Sequence, residues 1–326
     1  MENGVIIIME NLVKKIYEIG VVPVVKFDDA KSAVPVAKAL IDGGVPCIEV
    51  TFRTDAAFDS IKNICEAYPE MLVGAGTVLT CEQVDQAIKA GVKFIVSPGL
   101  NPEIVKYCIS KNMPIMPGCT NPSDVELALS LGLKYLKFFP AEASGGINMV
   151  KALCGPFGQV KFMPTGGVNE KNINDYLSFN KIIACGGTYL VTDDIVKNER
   201  YEEITEICKR TIKTILGLKL AHVGINAKDC DEHTEISKQL EIISMCEQKE
   251  GNSSSFIGEF EVMKTPYKGT NGHIAISTLN VDRAKAYFEA KGFTFDMETA
   301  KYKGDKLTVV YFNEEIGGFA YHLVQR

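Results

Sequence analysis

Short apolar runs recur along the first two thirds of the chain, and each is followed by an amphipathic segment. Such runs predict buried strands, and the segments between them predict helices. The predicted strands are Val21–Val25, Cys47–Thr51, Met71–Ala75, Phe94–Ser97, Pro114–Pro117, Lys134–Pro140, Val160–Met163 and Ile182–Cys185. Eight strand–helix units of roughly 20–25 residues predict an α/β fold of the (β/α)8 TIM-barrel type. An open doubly wound sheet is the alternative, and the barrel is preferred because no long interruption separates the units.

Polar residues and glycines follow several of these strands, where a barrel of this type carries its chemistry. Glu49, Thr51 and Arg53 share one face of the second strand, because side chains alternate along a strand. A carboxylate and a guanidinium there suit an active site, although a structural ion pair is the alternative. The pairs Gly166–Gly167 and Gly186–Gly187 follow the seventh and eighth strands. This is the usual phosphate site of the fold, because backbone N–H groups approach an anion closely.

The sixth strand carries a lysine in its middle. Lys137 shares a face with Tyr135 and Phe139, opposite Leu136 and Phe138, so at least one of these faces must be buried. A buried ammonium is costly, and a lysine that loses its proton is a nucleophile that forms a Schiff base with a carbonyl. The alternative is a lysine whose stem packs while its head reaches water or a carboxylate.

The amino-acid composition excludes several classes of function. All four histidines lie beyond residue 220, so any reaction catalysed by the earlier residues proceeds without histidine. The formal net charge of -6 gives no electrostatic case for nucleic acid or an anionic membrane. The ten cysteines lack metal-ligand spacing, which predicts reduced thiols and a cytoplasmic protein. The apolar run Val5–Ile8 is too short to span a membrane and precedes no signal-peptide cleavage site, and Met9 offers an alternative translation start.

Six motifs carry a resemblance to a known family. They are Glu49–Arg53 (EVTFR), Gly74–Thr77 (GAGT), Ser97–Gly99 (SPG), Lys137–Glu142 (KFFPAE), Pro164–Gly167 (PTGG) and Gly186–Gly187 (GG). Their order resembles that in the class I aldolases for 2-keto-3-deoxy-6-phosphogluconate (KDPG) and 4-hydroxy-2-oxoglutarate (KHG). The resemblance covers residues from about 9 to 215 and indicates an aldolase barrel over residues 1–217. It implies a lyase for small oxo acids that needs no cofactor and forms a homo-oligomer, a trimer.

The resemblance also implies a Schiff-base mechanism. Lys137 matches the family's nucleophile, and Glu49 matches the general base and acid that moves protons by way of water and the substrate 4-hydroxyl. The iminium accepts electrons when the C3–C4 bond breaks. The products are pyruvate with glyceraldehyde 3-phosphate from KDPG, or with glyoxylate from KHG. The sequence does not rank these substrates or their C4 epimers.

The substrate-binding residues follow from the same resemblance. Arg53 and Thr77 match the residues that bind the pyruvate carboxylate, and a bidentate guanidinium suits that planar anion. The other matches are Pro98, Phe139 and Thr165 in the pyruvate pocket, and Gly166, Gly167, Gly186 and Gly187 in the phosphate loops. Thr188 stands where the family has a serine, and it keeps the hydroxyl donor.

Beyond residue 217 the pattern changes, and residues 218–326 contain an internal duplication. Leu220–Asn226 is similar to Asn271–Ser277, and Ile257–Met263 is similar to Gly317–Val324. Each half begins with a strand that bears a histidine, continues with a helix and ends in a strand. This pattern resembles the paired βαβββ modules of the vicinal-oxygen-chelate, or glyoxalase-like, fold.

That second resemblance implies a divalent transition metal held by the first and last strands of each module. The matching residues are His222 and Glu261 in the first half, and His273 and His322 in the second. His322 replaces a second carboxylate, and the remaining nitrogen and oxygen ligands still suit such a metal. Packed, hydrogen-bonded histidines are the alternative. His233, at the charged start of a helix, is predicted to be solvent-exposed.

The leading hypothesis is therefore a metal-independent aldolase with a C-terminal accessory domain. In one alternative the tail is a second, metal-dependent enzyme that acts on a small oxo compound. In another it senses a ligand or assembles the oligomer. A barrel that only binds oxo acids is a further alternative, but the intact set of Glu49, Arg53 and Lys137 argues against it.

Overall fold

The structure is a computed structural model that describes residues 2–326, with side chains from Ile7 onward. The chain divides into two compact units, of which the first ends at Ile215 and the second spans Leu216–Arg326. Among the described residues, no helix combines the length and the apolar character needed to cross a membrane.

Parallel strands form a curled sheet in the first unit. They are β1 Val21–Val25, β2 Cys47–Thr51, β3 Leu72–Gly76, β4 Phe94–Ser97, β5 Ile115–Pro117, β6 Tyr135–Phe138, β7 Lys161–Pro164 and β8 Cys185–Gly187. One ladder has the order β5-β4-β3-β2-β1-β8, and β6 pairs with β7. Parallel bridges between Gly118 and Lys137 and between Thr165 and Gly186 connect the two ladders. Each strand thus neighbours the next one in the sequence, which agrees with a TIM-type domain.

Helices follow the strands and begin at local sequence signals. They are α1 Glu2–Ile19, α2 Ala33–Asp42, α3 Ala57–Ala67, α4 Cys81–Ala90, α5 Pro102–Ser110, α6 Pro122–Ser130, α7 Gly146–Cys154, α8 Ile173–Leu177, α9 Asp193–Lys197 and α10 Tyr201–Leu216. The side chains of Thr80, Asn101 and Asn121 accept hydrogen bonds from the first turns of α4, α5 and α6. Gly91 ends α4 in the left-handed conformation.

Helix α1, which we did not predict, contributes to the core of the curled sheet. Leu12, Val13 and Ile16 of α1 join one apolar cluster with residues from strands β1 to β7 and from the segment that leads into β8. Many of those strand residues lie at the N-terminal ends of their strands, as Cys47, Leu72 and Tyr135 do. This packing fills the N-terminal end of the sheet, so the polar residues of the strands collect toward the opposite end.

The eighth strand begins later than its sequence pattern predicted. Ile182 makes only an isolated bridge to Phe162, and the ladder with β1 begins where Val21 pairs with Cys185. The apolar run Ile182–Cys185 is therefore mostly the approach to β8. Its residues are buried like those of a strand, which explains why hydrophobicity alone placed the strand too early.

In the second unit, two β-α-β-β-β halves share one sheet. The first half contains β9 Lys219–Asn226, α11 Cys230–Ser244, β10 Lys249–Glu250, β11 Ser254–Ile257 and β12 Phe260–Met263. The second contains β13 Gly272–Thr278, α12 Val281–Glu289, β14 Phe295–Lys303, β15 Lys306–Ile316 and β16 Phe319–Gln325. The strand order is β10-β11-β12-β9-β13-β16-β15-β14, and β9 meets β13 antiparallel at the centre.

His233 is buried, and the prediction that it is solvent-exposed is wrong. Only 5% of its surface is accessible, and its Nε2 lies 3.1 Å from the Ser255 hydroxyl of β11. Charged residues surround it in the sequence, but His233 and Ser237, four residues apart, form the buried side of α11. The His233 imidazole lies on that inner side, where burial and the neighbouring Lys264 lower its pKa.

Candidate active site and metal centre

Lys137 on β6 and Glu49 on β2 form a buried ion pair at the heart of the first unit. Lys137 Nζ lies 3.1 Å from Glu49 Oε1, and the two side chains are 6% and 1% exposed. Both faces of β6 are buried, so the Lys137 ammonium cannot extend into water. It lies 5.2 Å from the centroid of the Phe139 ring. A lysine in direct contact with a carboxylate, in a site that excludes water, is suited to proton transfer between the two.

A glycine on the neighbouring strand makes room for the Glu49 carboxylate. A Cβ placed on Gly76 would lie 2.1 Å from Glu49 Oε1, so any larger residue at this position would displace the carboxylate. Within residues 2–326, Glu49 Oε2 is buried and has no hydrogen-bond partner. A buried carboxylate oxygen without a partner is costly, and it is typical of a group that binds a substrate atom or water.

Arg53 and Thr77, which the sequence predicted to bind a carboxylate, lie in contact. Arg53 Nε donates a hydrogen bond to Thr77 Oγ1 over 3.2 Å, and the Arg53 side chain is exposed to solvent. Thr77 has a φ of +56°, a left-handed conformation that is uncommon for a β-branched residue. Strained backbone of this kind persists where the surrounding structure enforces it, and it concentrates at binding sites.

Pro98 and Thr165 connect the Lys137 site to its surroundings. A Cβ on Gly118 would meet the Pro98 carbonyl oxygen at 2.0 Å, and Gly118 bridges to Lys137. Thr165 is 2% exposed and, within the described chain, its hydroxyl has no hydrogen-bond partner. That hydroxyl lies against Gly186, where a Cβ would approach it to 2.1 Å. Thr165 therefore lies between the predicted pyruvate pocket and the predicted phosphate loops.

The first of the two predicted phosphate loops has backbone conformations that only glycine adopts readily. Gly166 and Gly167 have φ values of +100° and +83°. A Cβ on Gly166 would lie 3.5 Å from the Phe139 ring, so this loop adjoins the lysine site. Gly187 is buried beside Tyr189, whereas Thr188 is exposed just after β8.

Two residues behind this loop had no predicted role. The Tyr176 hydroxyl donates a short hydrogen bond to Glu142 Oε1, and Glu142 packs against Gly167. Glu142 belongs to the KFFPAE motif, which was a usable signal. Tyr176 lies on α8 at a position typical of an ordinary buried aromatic residue, so no sequence pattern indicated its contact with Glu142.

A separate cavity of about 600 Å³ lies near the opposite ends of the strands. Its lining includes Pro114 and Ile115 at the start of β5 and Lys134 and Tyr135 at the start of β6. The lining contains neither Lys137 nor Glu49 and is mostly apolar. The cavity is therefore distinct from the site that holds the ion pair.

In the second unit, strand register brings the four predicted metal ligands together. Gly224 of β9 pairs with Glu261 of β12 on one side and with His273 of β13 on the other. Ala275 of β13 pairs in the same way with His222 of β9 and His322 of β16. A Cβ on Gly224 would lie 2.1 Å from the His273 ring. Gly224 and Ala275 thus leave the space that the side chains of the four predicted ligands fill.

The polar atoms of this cluster converge on one point. His222 Nε2 and His273 Nε2 lie 3.1 and 3.0 Å from Glu261 Oε2, and 3.2 Å from each other. Ligand atoms of His222, His273 and His322 all lie within 4.8 Å of one another. The Tyr311 ring stacks on His322 at a centroid distance of 4.5 Å and covers one side of the cluster.

Electrostatics favour an ionised Glu261 carboxylate and a neutral His322 imidazole. Burial opposes ionisation of Glu261, but hydrogen bonds from His222, His273 and Ser254 outweigh it and lower the pKa of the carboxyl. Burial and the neighbouring His273 and His222 lower the pKa of His322 to about 3. In the described part of the chain, neither ring nitrogen of His322 makes a hydrogen bond. A neutral imidazole with an open nitrogen, beside an ionised carboxylate, is suited to hold a transition metal.

Comparisons with known proteins identify the first unit. The family model of KDPG and KHG aldolases matches residues 12–207. A 2-dehydro-3-deoxy-phosphogluconate aldolase of Haemophilus influenzae is 44% identical over 206 residues, which span 63% of this chain and 97% of the relative. A KHG/KDPG aldolase of Escherichia coli is 42% identical over 200 residues, which span 61% of this chain and 92% of the relative.

A solved structure agrees. The KDPG aldolase of Legionella pneumophila, with pyruvate captured as a covalent carbinolamine, is 37% identical and has a TM-score of 0.59. The match covers 61% of this chain and 97% of that one. The family model spans more than half of the chain and contains every residue of the Lys137 site described above. The chain belongs to the family of KDPG and KHG aldolases, and it is a class I aldolase, a carbon–carbon lyase.

Proposed function

We propose that the first unit is a complete (β/α)8 barrel that cleaves KDPG, KHG or both through a Schiff base on Lys137. The observation that carries this proposal is the buried contact between Lys137 Nζ and Glu49 Oε1, with the second Glu49 oxygen left open. The names of the relatives support the two substrates, and the geometry supports the roles of the residues.

In the proposed reaction, Glu49 takes a proton from the Lys137 ammonium. The free amine then attacks C2 of the 2-oxo acid and forms a carbinolamine. Glu49 returns its proton to the carbinolamine hydroxyl, which leaves as water, so that an iminium remains and Glu49 is again a carboxylate. Glu49 removes the proton of the C4 hydroxyl, the C3–C4 bond breaks, and its electron pair moves to the iminium nitrogen as the aldehyde leaves. Protonation of the resulting enamine at C3 and hydrolysis of the iminium release pyruvate and restore Lys137.

The surrounding residues fit the two ends of such a substrate. Arg53 and Thr77 hold the carboxylate next to C2, because a planar guanidinium can donate two parallel hydrogen bonds to it. Pro98, Phe139 and Thr165 surround the pyruvate carbons. The loops at Gly166–Gly167 and Gly186–Gly187, with the Thr188 hydroxyl beside them, bind the distal phosphate of KDPG.

Borohydride trapping tests this proposal. Reduction of the enzyme–pyruvate mixture should fix the iminium as a stable secondary amine, and peptide mass mapping should place the added mass on Lys137. Lys134, exposed at the approach to the same strand, serves as the internal control and should stay unmodified. Folded protein without any adduct, or with the adduct on another lysine, would overturn the proposed mechanism.

We also propose that the second unit consists of paired βαβββ modules, as in the vicinal-oxygen-chelate fold, and binds a divalent transition metal. The observation that favours this is the convergence of His222, Glu261 and His273, with His322 adjacent. A metal bound there would supply a Lewis acid for an oxygen-rich small molecule. Glu261 would bring negative charge, and the three histidines would bring ring nitrogens as ligands.

Metal analysis of the full-length protein checks this second proposal. Dialysis against Zn²⁺ or Mn²⁺ followed by elemental analysis should give one ion per chain. Because two ligands are lost, the His273→Ala/His322→Ala double variant should bind about 100-fold more weakly or not at all. The control is His233→Gln, which alters a buried histidine outside the cluster. Equal metal content in the cluster variant and the wild type would contradict the proposal, as would no binding by the wild type.

The family resemblance further supports a homo-oligomer, and we propose a trimer in the cytoplasm. Sedimentation velocity at assay concentration measures the assembly, and a monomeric species that remains active would exclude a catalytic need for it. One transition-metal ion per chain would favour a second enzyme or a metal sensor as the task of the second unit, and the absence of metal would favour an assembly module.

A further inference from the structure

The Gly166–Gly167 loop is held from behind by a tyrosine–glutamate pair. The Tyr176 hydroxyl of α8 donates a short hydrogen bond to Glu142 Oε1. Glu142 lies in the 3-10 turn Glu142–Ser144 that follows β6, and its backbone N–H donates to the Gly166 carbonyl over 3.0 Å. A Cβ on Gly167 would lie only 2.5 Å from Glu142 Cγ. The Glu142 side chain is therefore pressed against the loop, and Tyr176 fixes where that side chain lies.

Two asparagines hold the next carbonyl of the same loop. The side-chain amides of Asn169 and Asn172 both donate to the Gly167 carbonyl, over 3.0 and 3.1 Å. In a trans peptide the N–H points away from the C=O of the same unit. Holding the carbonyls of Gly166 and Gly167 therefore turns the next two N–H groups in the opposite direction. These N–H groups belong to Gly167 and Val168, and successive backbone N–H groups at a turn can form a concave nest that binds anions.

The protonated state of the Tyr176 phenol favours its hydrogen bond to Glu142. Tyr176 is 1% exposed, and burial together with its hydrogen bond to Glu142 raises the pKa of the phenol. The tyrosine therefore keeps its proton and acts as a fixed donor over the whole working range of pH. Glu142 accepts this bond with one oxygen. The pair couples α8 to the segment after β6, which is the strand of the Lys137 nucleophile.

We infer that the Glu142–Tyr176 pair is a positioning device that holds the Gly166–Gly167 loop in the shape that binds phosphate, and so sets the preference for phosphorylated 2-oxo acids. The inference rests on the proposed aldolase function and deepens it. Neither residue touches the reacting carbons. Their effect reaches the substrate through the loop, whose backbone they hold in contact with Phe139 and beside the pyruvate pocket.

The test compares KDPG with KHG on full-length variants. Tyr176→Phe removes the hydroxyl and keeps the ring, so the loop should loosen while the core stays filled. We expect the KM for KDPG to rise about tenfold or more, because the group that binds the phosphate is misplaced. The kcat for KDPG, and the kcat and KM for KHG, should change less than about twofold. Glu142→Gln keeps an oxygen acceptor for Tyr176 and should retain most of the preference for KDPG.

A matched control lies on the outside of the same unit. The Tyr107 hydroxyl of α5 donates to Asp85 over 2.8 Å, so Tyr107→Phe removes a comparable tyrosine–carboxylate bond away from the loop. This variant should leave kcat and KM unchanged for both KDPG and KHG. Inorganic phosphate should inhibit the wild type competitively and inhibit Tyr176→Phe more weakly.

Three outcomes would overturn the inference. The first is an equal loss of kcat/KM for KDPG and for KHG in Tyr176→Phe, which would indicate a merely structural role. The second is a rise in the KM for KDPG in Tyr107→Phe that equals the rise in Tyr176→Phe. The third is a wild type with equal kcat/KM for the two substrates. Failure of the aldolase proposal itself is distinguishable, because the wild type would then give no borohydride adduct on Lys137.

Discussion

Lys137→Met should abolish aldol cleavage, with a fall in kcat on the order of 10⁴-fold or more, because it removes the group that forms the covalent intermediate. Methionine matches the length of the lysine stem and fills the same apolar space on β6. It also leaves the Glu49 carboxylate buried without its partner, so some loss of stability is expected. The measurements are steady-state cleavage of KDPG and KHG, and borohydride incorporation of pyruvate.

Two further variants make this result specific. Lys134→Met changes an exposed lysine three residues earlier and should leave the activity and the pyruvate adduct intact. The double variant Lys137→Met/Glu49→Gln removes the unpaired charge and should recover stability without recovering activity. If Lys137→Met still cleaved KDPG within about tenfold of the wild-type rate, the nucleophile would have to be another residue.

Glu49→Gln should lower kcat by about 10²–10⁴-fold, the range expected when a general acid–base is lost. The amide keeps the shape of the carboxylate and can still accept a hydrogen bond from Lys137, but it cannot take up a proton. Carbinolamine formation and C–C cleavage both need that transfer, so single-turnover assays should show both steps slowed. Binding of pyruvate should change much less, because Arg53 and Thr77 remain.

Glu126→Gln on the exposed face of α6 is the control for Glu49→Gln and should behave as the wild type. Rapid-quench experiments with KDPG would separate adduct formation from cleavage. A Glu49→Gln enzyme with an unchanged cleavage rate would show that water or a different side chain moves the protons. In that case the buried Lys137–Glu49 contact would be a structural ion pair, the alternative that the sequence left open.

Much of the first unit could be predicted because its signals are local. Strand alternation placed Glu49 and Lys137 on their strands, and the order of six short motifs matched a family that the comparisons then confirmed. Helix α4 has the bounds that its pattern predicted, since Thr80 caps its start and Gly91 ends it. Helix α1 was missed although Leu12, Val13 and Ile16 recur at helical spacing between exposed polar residues. The start of β8 was placed too early, because the buried segment before it is as apolar as a strand.

The site residues divide in the same way. The sequence showed which polar residues lie at the ends of the strands in the first unit. It also identified the four candidate metal ligands of the second unit through the internal duplication of residues 218–326. It could not place Tyr176 against Glu142 or His233 against Ser255, because these contacts join elements whose separation in the chain carries no pattern. Their register depends on how each helix rotates as it packs on its sheet.

The order of amino acids was enough to predict the strand–helix repeat, the duplication after residue 217, and the residues able to act as nucleophile, proton carrier and metal ligands. The folded chain was needed to show that Lys137 meets Glu49 at 3.1 Å and that Gly224 and Ala275 leave room for three imidazoles and a carboxylate. The difference arises because propensity and periodicity act over a few neighbouring residues. The distance between two side chains on separate strands depends instead on strand register and core packing, which the whole unit fixes at once.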